Sequence, residues 1–205
     1  MKHGYCAENE DILIRPLAKE DLEYLREWRN DEKLSTYLRS IPYITEEAQI
    51  KWFDKYLKDK NTLFFTIVDK GRETTVGSAA LYNFDTDSCE VGKIVIGDPS
   101  SHGKGIGYKS LLLAITAAIR KLEMRSFRLD VHEDNIPARN IYDKVGFRVI
   151  GKHAFEKGGY ELEMEISSEC FFEQNPIAET IKVFMEEDMT RTTVSGNRGV
   201  SNSSK

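Results

Sequence analysis

His102-Gly103-Lys104-Gly105-Ile106-Gly107 decides the fold of this 205-residue chain. Before it stands an apolar run, Ile94-Val95-Ile96, which reads as a buried strand. After it Leu111, Leu112, Ile115, Ala118, Ile119 and Leu122 recur at helical spacing. Strand, glycine-rich turn and helix in that order build an anion site. The glycines let several backbone N–H groups converge, and the positive end of the helix dipole faces whatever sits there. Lys104 and Lys109 add positive charge in a chain whose formal net charge is -5. The stretch points to a phosphorylated ligand, against the blander reading of a glycine turn that binds nothing.

Three phosphate-loop patterns compete for it. A dinucleotide fingerprint needs G-x-G-x-x-G, and here the third glycine, Gly107, comes one place early. A Walker A loop needs G-x-x-x-x-G-K-[ST]; Lys109 and Ser110 fall in place, but Tyr108 holds the required glycine. The pattern [QR]-x-x-G-x-[GA] fits with His102 in first place.

The rest of the chain limits what can surround the loop. Its length suits one domain with a sizeable core and room for an appendage. Hydrophobic and charged fractions of 40% and 31% are ordinary for a soluble protein. No apolar run approaches the roughly 20 residues that span a bilayer, and MKHGYCAENE lacks the apolar stretch of a signal peptide. Cys6, Cys89 and Cys170 are odd in number and lack metal-ligand spacing, so a reducing cytoplasm and no metal are expected. A sequence pI near 5.5 argues against non-specific nucleic-acid binding.

Upstream, Ile12, Ile14 and Leu17 suggest a strand that stops at Pro16, followed by a helix through Leu22, Leu25 and Trp28. Thr45 reads as the N-cap of a helix burying Ile50, Phe53 and Leu57. Trp28, Tyr37, Trp52 and Tyr56 are either core or the lining of a pocket. Leu63 to Val68 and Thr75 to Tyr82 form a hairpin around Lys70-Gly71-Arg72, and Glu90 to Gly97 is the strand feeding the loop. Phe127 to His132 alternates strictly, with Arg128, Asp130 and His132 on one face. Pro137 opens a short helix that Gly146 stops. Phe147 to Ile150 and Tyr160 to Ile166 form a hairpin, with Glu161, Glu163 and Glu165 on a wet face. Asn175-Pro176 then reads as the cap of a last helix carrying Ile177, Ile181, Phe184 and Met185.

Downstream of the loop, Asn135 to Phe147 matches N-x-x-A-x-x-x-Y-x-K-x-G-F at every fixed place. With the strand-HGKGIG-helix upstream, the chain resembles the GCN5-related N-acetyltransferase (GNAT) superfamily over about residues 11 to 166. His102 departs from the usual Gln or Arg. The resemblance implies an α/β (α+β) GNAT fold: a mixed, mostly antiparallel sheet with two splayed parallel strands, flanked by helices. Those strands would be Glu90–Gly97 and Phe127–His132. With the polar, Ser/Gly-rich composition from Thr190 onward, the expected division is a flexible N-terminus (1–10), an acetyltransferase domain (11–168), a helical appendage (169–189) and a disordered tail (190–205).

The resemblance also implies a site. Acetyl-CoA would lie in the splay, its pantetheine arm on backbone groups of Ile94, Val95 and Ile96. Its pyrophosphate would rest on Ser101, His102, Gly103, Lys104, Gly105, Ile106 and Gly107, with Asn135, Asn140 and Lys144 as further contacts. Tyr142 matches the family's general acid, and Asp130 and Glu90 flank the splay as candidate bases. The partners implied are acetyl-CoA and an amine, with no nucleic acid and no membrane, in a monomer or homodimer. Glu27-Trp28-Arg29-Asn30 and Lys51-Trp52-Phe53 resemble the ribosomal-protein N-terminal and amino-sugar branch, and Ile94 to Phe147 equally resembles spermidine N-acetyltransferases. The alternative is a catalytically inactive acetyl-CoA-binding sensor or structural module.

Overall fold

The middle strands carry apolar residues on both faces because both faces are covered. In a computed structural model, which describes residues 3–188, the elements run β1 (Tyr5–Glu8), β2 (Ile12–Pro16), α1 (Leu22–Asn30), α2 (Glu32–Ser35), α3 (Glu46–Tyr56), β3 (Thr62–Asp69), β4 (Thr74–Tyr82), β5 (Ser88–Ile96), α4 (Ile106–Leu122), β6 (Ser126–His132), α5 (Ile136–Val145), β7 (Arg148–Ala154), β8 (Tyr160–Ser167), α6 (Ser168–Gln174) and β9 (Lys182–Met185). One sheet joins all the strands in the order β7-β8-β6-β5-β4-β3-β2-β1-β9. Every neighbouring pair is antiparallel except β5 and β6. This is the mixed, mostly antiparallel architecture expected from the sequence.

Period-two alternation sorts the core. Phe65, Ile67, Ala79 and Leu81 enter the large cluster with α4, whereas Phe64 and Ala80 join Leu22, Leu25, Phe53 and Tyr56 under α1 and α3. The α1 side is anchored by Asp21, 2% exposed. Arg15 Nη1 and Nη2 donate to its two carboxylate oxygens at 2.7 and 2.8 Å, and Thr66 Oγ1 and the Ala18 N–H also donate to it. Burial alone would raise this carboxyl; the hydrogen bonds from Arg15, Ala18 and Thr66, with the Arg15 charge, hold it below the usual aspartate value instead.

Helix α4 is buried on nearly every side from Ser110 to Ala118 rather than along one stripe. Its outer side is covered by the segment after β8, where Ala178 and Ile181 are buried, and Arg120 Nη1 donates to the Ile181 carbonyl.

Three expectations are corrected here. The first ten residues, expected to be a flexible N-terminus, contain β1, which is paired on both edges, with Cys6 and Ala7 fully buried. Asn9 makes the turn, its Oδ1 accepting from the N–H groups of Asp11 and Ile12. The last helix expected through Ile177 to Met185 is instead a 3-10 turn over Pro176–Thr180 followed by β9, which adds to β1. In α3 the buried face is Gln49, Phe53 and Tyr56, and Ile50 is 39% exposed. The expected polar tail from Thr190 lies outside the described residues.

Candidate active site

β5 and β6 run side by side for only three residue pairs, Ser88 with Ser126, Cys89 with Phe127 and Glu90 with Arg128. Beyond Glu90 they part. β6 stays paired to β8 through His132, and β5 stays paired to β4 through Ile96. The gap therefore exposes the backbone edge of β5 over Ile94, Val95 and Ile96. Peptide groups on such an edge seek a partner, and an extended amide-bearing chain supplies one.

The glycine loop closes the wide end of the gap. Gly103 and Gly105 sit at φ 74° and 71°, in the left-handed region that favours glycine, and no atom lies within 4 Å of a Cβ built on either. The turn is open to solvent and delivers the chain into the N-terminus of the 17-residue α4. This fits a phosphate-bearing ligand: converging N–H groups, a helix dipole and room for the guest. His102 Nε2 donates to the Ile96 carbonyl at 2.8 Å, bridging the loop to the end of β5. Ser101 is buried. Arg72, from the β3–β4 turn, donates to Ser100 Oγ and Ser101 Oγ at 2.6 Å and pairs with Asp98 at 2.8 Å. Hydrogen bonds from Ser101, Arg72 and Ser100 hold the Asp98 carboxyl well below the ordinary range. Lys104 is exposed, whereas Lys109 pairs with Asp11.

The family's second motif forms α5. Asn135 Oδ1 accepts the Ala138 N–H at 3.3 Å and so caps the helix. Asn140 is exposed, and Lys144 lies 4.3 Å from the Tyr108 ring centroid. Tyr142 is half-buried, its ring edge-on to Phe147 with centroids 6.0 Å apart, and burial pushes its phenol up to about 12. Burial and the charges of Glu90 and Asp130, with the Tyr142 phenol as a further neighbour, push the Tyr82 phenol up as well, so these side chains share one neighbourhood at the gap. Glu90 accepts from Asn83 Nδ2 at 2.9 Å. Asp130 faces the cleft yet is crowded: burial, with the carboxylates of Glu161, Glu90 and Glu163, raises it above the usual aspartate value against the charge of His153. Cys89 is buried, and its thiol is pushed up to about 12, which leaves it no nucleophilic role.

Across the gap, Trp28 lies flat on the end of β5. A Cβ built at Gly97 would come within 2.1 Å of its ring, so glycine is what admits the indole. Lys93, at φ 51° where the β4–β5 register shifts, sets its ammonium 4.7 Å from the Tyr82 ring centroid. The strap after α2 spans the cleft: Tyr37 stacks on His132, and Lys157 Nζ donates to the Leu38 carbonyl at 2.8 Å. Of the aromatics with two open readings, Tyr56 is core, whereas Trp28 and Tyr37 border the cleft.

Tyr82, Arg72, His153 and Glu161 carry no sequence signal strong enough to place them at the site. Tyr82 ends a strand whose alternation sets it on the same face as Glu90, its register partner. Arg72 lies in a hairpin turn, and nothing local marks what it will touch.

A mixed sheet opened at its single parallel pair and flanked by helices defines the class: this is the GNAT fold. A family model described as acetyltransferase (GNAT) domain matches residues 11–148, and the chain belongs to that family. It is 26% identical over 171 residues to an N-acetyltransferase 9-like protein of Nematostella vectensis, covering 78% of this chain and 84% of that one. It is 26% identical over 171 residues to the spermidine N(1)-acetyltransferase of Escherichia coli strain K12, covering 82% and 89%. The spermidine N-acetyltransferase of Vibrio cholerae, solved in complex with CoA and spermine, superposes with a TM-score of 0.73 at 21% identity, over 80% of this chain and 99% of that one. That last likeness is one of fold. Among the described residues no helix is long and apolar enough to cross a membrane.

Proposed function

We propose that the protein is an N-acetyltransferase that moves an acetyl group from acetyl-CoA to a primary amine by direct attack. The observation that carries this reading is the opening of β5 from β6 beyond Glu90, with Tyr142 and the acids Glu90 and Asp130 gathered around it. Family membership supports it. Acetyl-CoA would be held by the β5 edge at Ile94 to Ile96, the loop from Ser101 to Gly107, and Asn135, Asn140 and Lys144. It supplies the activated acetyl group as a thioester.

The chain's own groups then manage two protons and one oxygen. Asp130 or Glu90 takes the proton from the amine. Asp130 suits this because its raised carboxyl lies closer to neutrality than an ordinary aspartate. Backbone N–H groups on the open edge of β5 hold the carbonyl oxygen as charge builds on it. Tyr142 stays protonated at physiological pH and donates to the leaving sulfur. Burial raises the phenol, and it would also raise a thiolate brought beside it, so donor and acceptor remain comparable.

The acceptor is an amino sugar, a polyamine or a protein N-terminus, and the setting is the cytoplasm. Glu90, Asp130, Glu161 and Glu163 around the cleft favour a cationic amine. Turnover of acetyl-CoA with a panel of those amines tests the proposal. In the same assay Tyr142→Phe should lower kcat by roughly 10²–10⁴-fold, the usual worth of general acid catalysis. Acetyl-CoA affinity should change by less than about tenfold, since the hydroxyl acts in the transition state. Tight acetyl-CoA binding without turnover of any amine would make the protein a sensor instead.

A further inference from the structure

Three side chains on three adjacent strands meet beside the gap. Asp130 stands on β6, Glu161 on β8 and His153 on β7, and one ligand-capable atom from each lies within 4.8 Å of the others. The sheet register explains it. Glu161 faces His153 on one side and His132 on the other, and the bulge after Val149 sets the phase of β7. We propose that His153 is the proton exit of this site, receiving the proton that Asp130 takes from the amine and releasing it to water. The proposal rests on the reading of Asp130 as the base.

The geometry suits this role. His153 Nε2 donates to Glu161 Oε2 at 3.2 Å, which orients the ring and leaves Nδ1 as the basic nitrogen. The Glu161 side chain is 10% exposed and that of His153 is 46% exposed, so the carboxylate is fixed while the imidazole reaches solvent. Protons balance. The ammonium loses one to the Asp130 carboxylate, the carboxylic acid passes it to His153, and the imidazolium gives it to water, which regenerates both groups.

Other charged groups around the trio are otherwise engaged or wrongly placed. His132 is occupied at both nitrogens: Nε2 donates to the Gly158 carbonyl, and Nδ1 accepts the Asp134 N–H. Arg128 bonds Glu165, and Lys152 bonds Glu133. Arg39, from the strap, approaches Glu161 at 3.8 Å. Glu90 on β5 and Glu163 on β8 are the other carboxylates that act on Asp130. Tyr82 on β4 is held protonated.

Steady-state kinetics of His153→Gln in weak and strong buffer test the idea, because glutamine can still bond Glu161 but cannot carry the proton. In dilute buffer kcat should fall by roughly tenfold or more. Added imidazole should restore it in proportion to concentration, with both KM values within about threefold of the parent's; a merely structural histidine would show no such rescue. Glu161→Gln, which loosens the ring, should give a smaller loss with the same rescue. An unchanged kcat for His153→Gln while Asp130→Asn is impaired would overturn the relay alone. Normal kcat in Asp130→Asn would overturn the base and the relay with it, and no turnover by the parent enzyme would overturn all three readings. Activity lost to a chelator and restored by zinc would also overturn the relay, making the trio a metal centre.

Discussion

Asn175 Nδ2 donates to the carbonyl of Val145 at 2.8 Å, tying the segment after β8 to the last turn of the helix that carries Tyr142. The same amide nitrogen donates to the Phe171 carbonyl, and its oxygen accepts from the Tyr108 hydroxyl at 3.0 Å. Asn175 is 1% exposed. One buried side chain beyond the family-matched residues thus joins α6, α5 and the first turn of α4.

Asn175→Leu keeps the volume and removes those bonds. Each buried group left without a partner costs about 1–3 kcal/mol. At a few degrees per kcal/mol for a chain of this length, Tm should fall by roughly 4–10 °C. The acetyl-CoA KM should rise, because α4 and α5 lose their common brace. Thermal melts that superimpose on the parent's would show the brace to be dispensable.

Gly105→Val tests the loop. Nothing crowds a Cβ there, so the cost is conformational, about 1–2 kcal/mol for a left-handed residue with a side chain. The domain should stay folded while the turn relaxes and its N–H groups no longer converge. Acetyl-CoA Kd should rise by at least about tenfold, an effect of roughly 1.4 kcal/mol. Calorimetry giving the parent's Kd would place the phosphates elsewhere.

Asp21 predicts an acid limb of stability. Its carboxyl titrates below the ordinary aspartate value when folded, so the native state is favoured above the unfolded value of about 3.9. That contribution is full above about pH 4 and drains away as pH falls through the lower, folded value. Asp21→Asn leaves Arg15 without its carboxylate and should cost about 3–5 kcal/mol at neutral pH. The variant should also lose part of the acid dependence. Equal loss of stability by both proteins between roughly pH 5 and pH 2 would assign the acid limb to other groups.

Local signals in the chain itself mark the strands, the loop and α5. Phe127-Arg128-Leu129-Asp130-Val131 alternates because one face of β6 is core and the other is not. HGKGIG marks a left-handed turn because glycine alone takes a φ of 71° to 74° without strain. Asn135, Pro137 and Gly146 bound α5 through a cap, a fixed φ and a left-handed stop, all set by neighbours in sequence.

What only the tertiary structure decided lies in contacts between distant parts of the chain. Tyr5–Glu8 has too few residues to form a strand alone and becomes one because Ile12–Pro16 and Lys182–Met185 flank it. For the same reason Lys182–Met185 is extended, although its apolar residues also fit a helical stripe. Edge pairing supplies backbone partners that the helical reading leaves out. Arg72, in the β3–β4 turn, meets Asp98 because β4 pairs with β5, and Asp130 meets His153 and Glu161 because β6, β8 and β7 lie side by side. Sequence patterns report which face a residue occupies; which other residues share that face is decided when the strands pair.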